Sequence, residues 1–317
     1  MERVVQIINQ ILPILFLIAL GFWLRRRGFL LETTVEEIRK IVVNLGLPAV
    51  LFVSFLSIEF ESTYFFFFVF TFSICIILLL MGICLQRIFK LRFVYFPYIL
   101  TGFEYGMLGV SLFGGAFGLE KIGYIAVVDL GHEIFIWFVF LPLLLIKRDA
   151  ARHPKEIAGS FISSPVVLAI ISSIFCNIVG VRDLLYEGLF TGGLMTAFDL
   201  LGHLTIPLIL IIVGYGIKID RQDLGIASVV VMVRLSILIP LVLLVNQHLV
   251  RNLWQLEPFF EVALFCLLIL PPPFILPLYT RSDLETEESQ FINNTLTIHT
   301  VLSVIVFLVY IALNPTI

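Results

Sequence analysis

Several ionisable side chains of this sequence interrupt stretches that are otherwise apolar: Glu104, Asp129, His132, Glu133, Arg234 and His299. In hydrocarbon such groups are costly, and they persist where they line a solute or proton pathway or neutralise one another. Glu104 stands in Gly102-Phe-Glu104-Tyr105-Gly106-Met-Leu-Gly109-Val-Ser111, which makes Glu104, Tyr105 and Ser111 candidates for contact with a substrate or a proton. Its carboxyl serves either as a protonatable coupling group or as half of a static ion pair. Arg234 is either the counter-ion of Glu104 or Glu133, or a direct contact for an anion. His132 and His299 read as neutral hydrogen-bonded histidines or as members of a proton relay with Asp129 and Glu133. If an ion is coupled, these residues point to H+ ahead of Na+.

Hydrolytic and metal chemistry find no support. His132-Glu133 opens an HExxH pattern, but Ile136 stands where the second histidine is required, so no zinc site follows. There is no GxSxG and no P-loop, and Cys75, Cys84, Cys176 and Cys266 form no CxxC pair. The expectation is a protein that is not an enzyme, has no catalytic set, and holds no metal or cofactor.

The elements that must position these groups follow from composition. Of 317 residues, 60% are hydrophobic and only 14% charged, and the mean hydropathy is +1.09. A soluble domain carries about a quarter charged residues, so lipid is the solvent for much of this chain. A net charge of −3 without a basic patch argues against a nucleic-acid partner. A membrane helix needs about 20 apolar residues, and ten segments qualify, near 6–24, 41–57, 64–85, 94–117, 123–146, 161–181, 190–215, 226–248, 259–279 and 291–313. The first is read as a retained span, because Arg25-Arg26-Arg27 follows the apolar run and no cleavage site is present. With these spans, fifteen of the twenty Lys and Arg residues fall on one side, Arg39 and Lys40 among them. Arg3, Lys121, Arg182 and Arg251 fall on the other, and Arg234 lies within a span. The cationic side is cytoplasmic, which predicts a multi-pass protein of the plasma or inner membrane with both termini non-cytoplasmic. Asn293-Asn294-Thr295 is a formal glycosylation sequon on the cytoplasmic side, where it is unused.

Ten spans with both ends on one side divide into five plus five, and an odd-numbered repeat must be inverted. The expected fold is all-α: one transmembrane domain over 1–317, built as two inverted five-helix repeats, 1–146 and 161–317, joined by a short cytoplasmic connector, 147–160. Asn44 and His203 each precede a proline (Pro48, Pro207) by four residues at corresponding places in the two halves, and His132 and His299 also correspond. Segments four and nine are abnormal. Segment four is glycine-rich, and segment nine carries Pro271-Pro272-Pro273, which a continuous helix cannot accommodate. Irregular backbone at membrane depth is tolerated where it is buried in protein or lines a cavity. Interrupted helices in matching positions of two halves mark a transporter's binding site.

Leu24-Arg-Arg-Arg27-Gly28, Asn44-Leu-Gly-Leu-Pro48, the Asp129-Leu-Gly stretch, Asp199 to Gly214 around His203 and Pro207, and Pro271 to Pro273 occur in an order that resembles the auxin efflux carrier family along essentially the whole chain. The resemblance implies broken helices four and nine crossing at mid-membrane, a fold related to bile-acid/sodium symporters, carboxylate substrates and a homodimer. Asn44 and His203 mark the scaffold side of the expected substrate site, and Pro271 to Pro273 shape its broken helix. Glu104 and Ser111 depart from the family's fourth-span pattern, which carries Asn and Pro there; Gly106 and Gly109 are retained. The function expected is secondary transport of a small organic anion, a mono- or dicarboxylate, by alternating access. The alternatives are a non-transporting membrane sensor on the same fold and a sodium-coupled symporter of another organic solute.

Overall fold

The structure is a computed structural model in which residues 2–57, 64–149, 164–217, 224–278 and 286–314 are described, with side chains from Leu12 onward except those of Leu145, Arg148, Asp149, Leu278 and Thr286. Most of the 147–160 connector, and Arg152, Lys155, Lys218, Arg221, Arg281 and Glu285, lie outside the described residues. The described residues contain helices and no strand.

The helices are α1 (Glu2–Arg26), α2 (Glu32–Leu56), α3 (Tyr64–Ile88), α4 (Phe96–Ile99), α5 (Tyr105–Phe117), α6 (Leu119–Leu144), α7 (Pro165–Val179), α8 (Arg182–Glu187), α9 (Thr191–Gly216), α10 (Leu224–Leu253), α11 (Pro258–Ile269) and α12 (Thr286–Leu313). Six of them (α2, α3, α6, α9, α10 and α12) are long and apolar enough to cross a membrane, while α5, α7 and α11 are shorter apolar helices.

Segment two begins earlier than its apolar run. The sequence places it at 41–57, whereas α2 starts at Glu32. Its first turns are amphipathic, with Val35 buried and Glu36 and Glu37 exposed, so helix continues where hydropathy alone marks a loop. Arg39 and Lys40 therefore ride on a helix. A wider π-type turn at Val42–Gly46 then joins the amphipathic part to the apolar part.

Segments four and nine are interrupted. The short helix α4 stops at Ile99, and helix resumes at Tyr105. Gly102 in the gap has φ +74°, a conformation a side chain resists. A Cβ there would also lie 2.9 Å from Pro273 Cγ, so this glycine is required twice over. The helix α11 ends where Pro271 to Pro273 begin, since prolines lack the N–H to continue it and clash one turn back.

The helices pack in two groups. In one, α9 lies against α1 and α2, and α2 against α7. Here Gly21 faces the Ile211 carbonyl and Gly214 faces the Ile18 carbonyl, bringing the backbones of α1 and α9 into direct contact. In the other group α6 packs on α3, α12 on α10, and α11 on α6 and α10. The half-helix α5 runs between the groups, touching α1 and α9 on one side and α6 and α11 on the other.

Candidate functional site

The two interruptions meet. The N–H of Glu104 donates to the Pro271 carbonyl at 2.8 Å, so residues 101–104 and 270–274 lie side by side as unwound backbone. Buried backbone groups freed from a helix need other partners, and the ionisable residues supply them.

Glu104 is 7% exposed. Its Oε1 accepts from the Met107 N–H at 3.2 Å, capping α5, and its Oε2 accepts from the Phe274 N–H. One carboxylate thus caps the second half of segment four and ties it to the chain beyond the prolines. An anion at a helix N-terminus is favoured by the N–H groups and the dipole.

Arg234, on α10, performs the complementary task for carbonyls. Its Nη1 donates to Ile99 O at 2.9 Å, and its Nη2 donates to Gly102 O and, at 3.3 Å, to Leu270 O. Among the described residues it pairs with neither Glu104 nor Glu133, the two partners considered from sequence. The acidic partners it lacks are replaced by the open C-terminal ends of α4 and α11.

His132 and Asp129, one turn apart on α6, form a relay to the same backbone. The Phe103 N–H donates to His132 Nε2 at 2.9 Å, and His132 Nδ1 lies 2.8 Å from Asp129 Oδ1. Because Nε2 accepts, the ring hydrogen is on Nδ1 and is donated to Asp129. Glu133 faces another way and accepts from Trp137 Nε1 at 2.9 Å. His299, on α12, is fully buried near Ile269 with neither ring nitrogen hydrogen-bonded; the Ile269 carbonyl accepts a 2.6 Å hydrogen bond from Ser303. The Tyr105 hydroxyl is buried without a hydrogen-bond partner, and Ser111 Oγ donates back to Leu108 O at 3.0 Å.

A cavity of about 380 Å³ opens beside the crossing, within the usual range for small-molecule sites of roughly 300–1,000 Å³. It is walled by Arg39 of α2, Val213 of α9, Met107 and Phe274 of the crossing, and Asn293 and Thr297 of α12. The two backbone N–H groups that hold Glu104 therefore belong to residues of the cavity wall. Arg39 bonds Glu36 at 2.9 Å through Nη1, and its Nε has no partner. A second cavity, about 540 Å³, lies away from the crossing between α10 and α12, near the Arg251–Glu261 ion pair.

Of the residues singled out from sequence, Glu104, Tyr105, Pro271, Pro272, Pro273, Arg234, Asp129 and His132 converge on the crossing, with His299 beside its second half. Asn44 and His203 do not. Both are exposed, with side chains bonded to the Lys40 and Asp199 carbonyls of their own helices. Arg39, Asn293 and Thr297 of the cavity wall carry no such signal in the sequence, where Arg39 reads as a loop charge and Asn293 as part of a sequon. Against protein-family models and curated protein sequences, the chain matches none.

Proposed function

We propose that the chain is a secondary transporter in which ten transmembrane helices form two inverted five-helix repeats, carrying a small organic anion across the cell membrane by alternating access. The observation that carries this reading is the contact of two interrupted helices beside a cavity walled by both helix groups. Helices broken at matching positions serve this purpose in secondary transporters, and a soluble fold has no need to place unwound, charge-capped backbone in its most apolar region.

The packing supports the repeat. The α1–α9 contact has its counterpart in α7–α2, and α3–α6 has its counterpart in α10–α12. His132 and His299 stand as far apart in sequence as Gly102 and Ile269, and each histidine lies at the break in its own half. Groups built around α1, α2, α7 and α9 on one side and the crossing on the other offer a frame against which the second group can move. The auxin efflux carrier family is the proposed relationship, with a homodimeric assembly and both termini non-cytoplasmic.

Among the described residues, Arg39 is the cation available to a substrate carboxylate, with the amide of Asn293 and the hydroxyl of Thr297 across the cavity. Glu104 is engaged by the protein itself. Proton coupling would act through it: a protonated carboxyl accepts hydrogen bonds more weakly than a carboxylate, which loosens the tie between Met107 and Phe274. The test is solute uptake by purified protein in liposomes against a panel of mono- and dicarboxylates. Saturable uptake that falls in Arg39→Gln supports the proposal. Absence of any flux from protein that still unfolds cooperatively sinks it.

A further inference from the structure

We propose that Arg234 is the resident cation of the crossing: a covalently held guanidinium in a carbonyl cradle that otherwise suits a free monovalent cation. This inference goes beyond transport. It concerns what holds the crossing together and stands whether or not a solute moves.

The cradle is built from two directions. The helix α4 ends at Ile99, and the carbonyls of Ile99 and Gly102 point out of the first break. The helix α11 ends at Ile269, and Leu270 presents its carbonyl from the second. Both are C-terminal ends, where the last carbonyls have no helical partner and the dipole is negative. The chain then runs through Pro271, Pro272 and Pro273, which have no N–H to offer. The backbone here is thus rich in acceptors and poor in donors. Unwound carbonyls and half-helix C-termini of this kind coordinate Na+ in broken-helix proteins.

Arg234 fills that cradle. It is 1% exposed and bonds all three carbonyls. The Phe103 ring closes one face, its centroid 5.1 Å from the guanidinium carbon. The ionisable groups that act on it, the Cys75 thiol and the imidazoles of His132 and His299, bring no negative charge. Carbonyl oxygens and a ring face are the surroundings of a bound cation, whereas an ion-pair partner would face a carboxylate. Glu104 mirrors the arrangement on the N–H side, so the crossing is neutralised end by end by tethered groups.

The test uses purified full-length protein without solute. Thermal unfolding is followed for wild type, Arg234→Ala, Arg234→Lys and Arg234→Gln, each with millimolar methylguanidinium, Na+ or urea. Urea has the planar shape and hydrogen-bond donors of guanidinium but no charge. Arg234→Ala is expected to lose several degrees in Tm. Methylguanidinium should restore much of that loss by mass action, urea none, and wild type should respond to neither. Where Arg234→Ala does not fold, the Lys and Gln variants decide, Lys being the more stable because it keeps the charge. The proposal is overturned if Arg234→Ala melts with wild type, if urea restores it as well as methylguanidinium, if no cation restores it, or if Gln equals Lys.

Discussion

Glu104 and Phe274, 170 positions apart, are joined by a hydrogen bond from the Phe274 backbone N–H to the Glu104 carboxylate. The same carboxylate accepts from Met107. Without the carboxylate, both N–H groups lose the acceptor that satisfies them at the crossing. Glu104→Ala is therefore expected to cost about 2–4 kcal/mol. Glu104→Gln, which keeps one acceptor oxygen without its charge, should cost about half that. Denaturant unfolding of the purified protein checks the order. An alanine variant as stable as wild type would mean that the tie contributes nothing.

His132 satisfies the Phe103 N–H, and Asp129 in turn fixes the histidine tautomer. His132→Phe keeps an aromatic ring but orphans that N–H, and should cost about 1–3 kcal/mol. Asp129→Asn retains an acceptor for Nδ1–H and should cost less than His132→Phe. Nitrogen NMR of histidine-labelled protein should show His132 protonated at Nδ1. A resonance pattern for the Nε2–H form would contradict the relay.

Much of this was legible in the sequence, for definite reasons. Pro271 to Pro273 forbid a helix by covalent structure, so the second interruption could be read without neighbours. The glycines around Glu104 weakened the first. Arg234, however, bonds only to carbonyls, which every residue possesses and no pattern of residue types reveals. Its isolation from Glu104 is likewise a matter of which way two broken helices turn. Arg39 escaped because α2 begins before its apolar run, and a charged residue ahead of such a run reads as loop. Asn44 and His203 show the opposite error. A repeated polar-to-proline spacing made them conspicuous, yet each bonds to its own helix and neither lines the cavity beside the crossing.

The contact between α1 and α9 leaves no room for a methyl group. A Cβ on Gly214 would fall on the Ile18 carbonyl, and one on Gly21 on the Ile211 carbonyl. Backbone cannot step aside as a flexible side chain can, so Gly214→Ala should cost about 1–3 kcal/mol, with Gly214→Val worse. Because both glycines set the same interhelical distance, Gly21→Ala with Gly214→Ala should cost less than the sum of the two. The separation is already lost after the first substitution. Additive losses in thermal unfolding would show that the two contacts are independent.

Arg39 distinguishes the cavity from the crossing. Its side chain is 30% exposed and pairs with Glu36, itself largely exposed, so removing it should leave stability nearly unchanged. A carboxylate bound in the cavity would lose a charge-assisted contact worth about 1.5–3 kcal/mol, which weakens binding roughly 10- to 100-fold. The measurement is the ligand-induced rise in Tm for wild type, Arg39→Gln and Arg39→Lys over a range of carboxylate concentrations. Arg39→Lys should fall between the other two, because a point charge replaces a planar fork. Arg251→Gln, beside the second cavity, should bind as wild type does. Equal stabilisation of wild type and Arg39→Gln would place the anion elsewhere. If the loss appeared in Arg251→Gln, it would move the site to the cavity between α10 and α12.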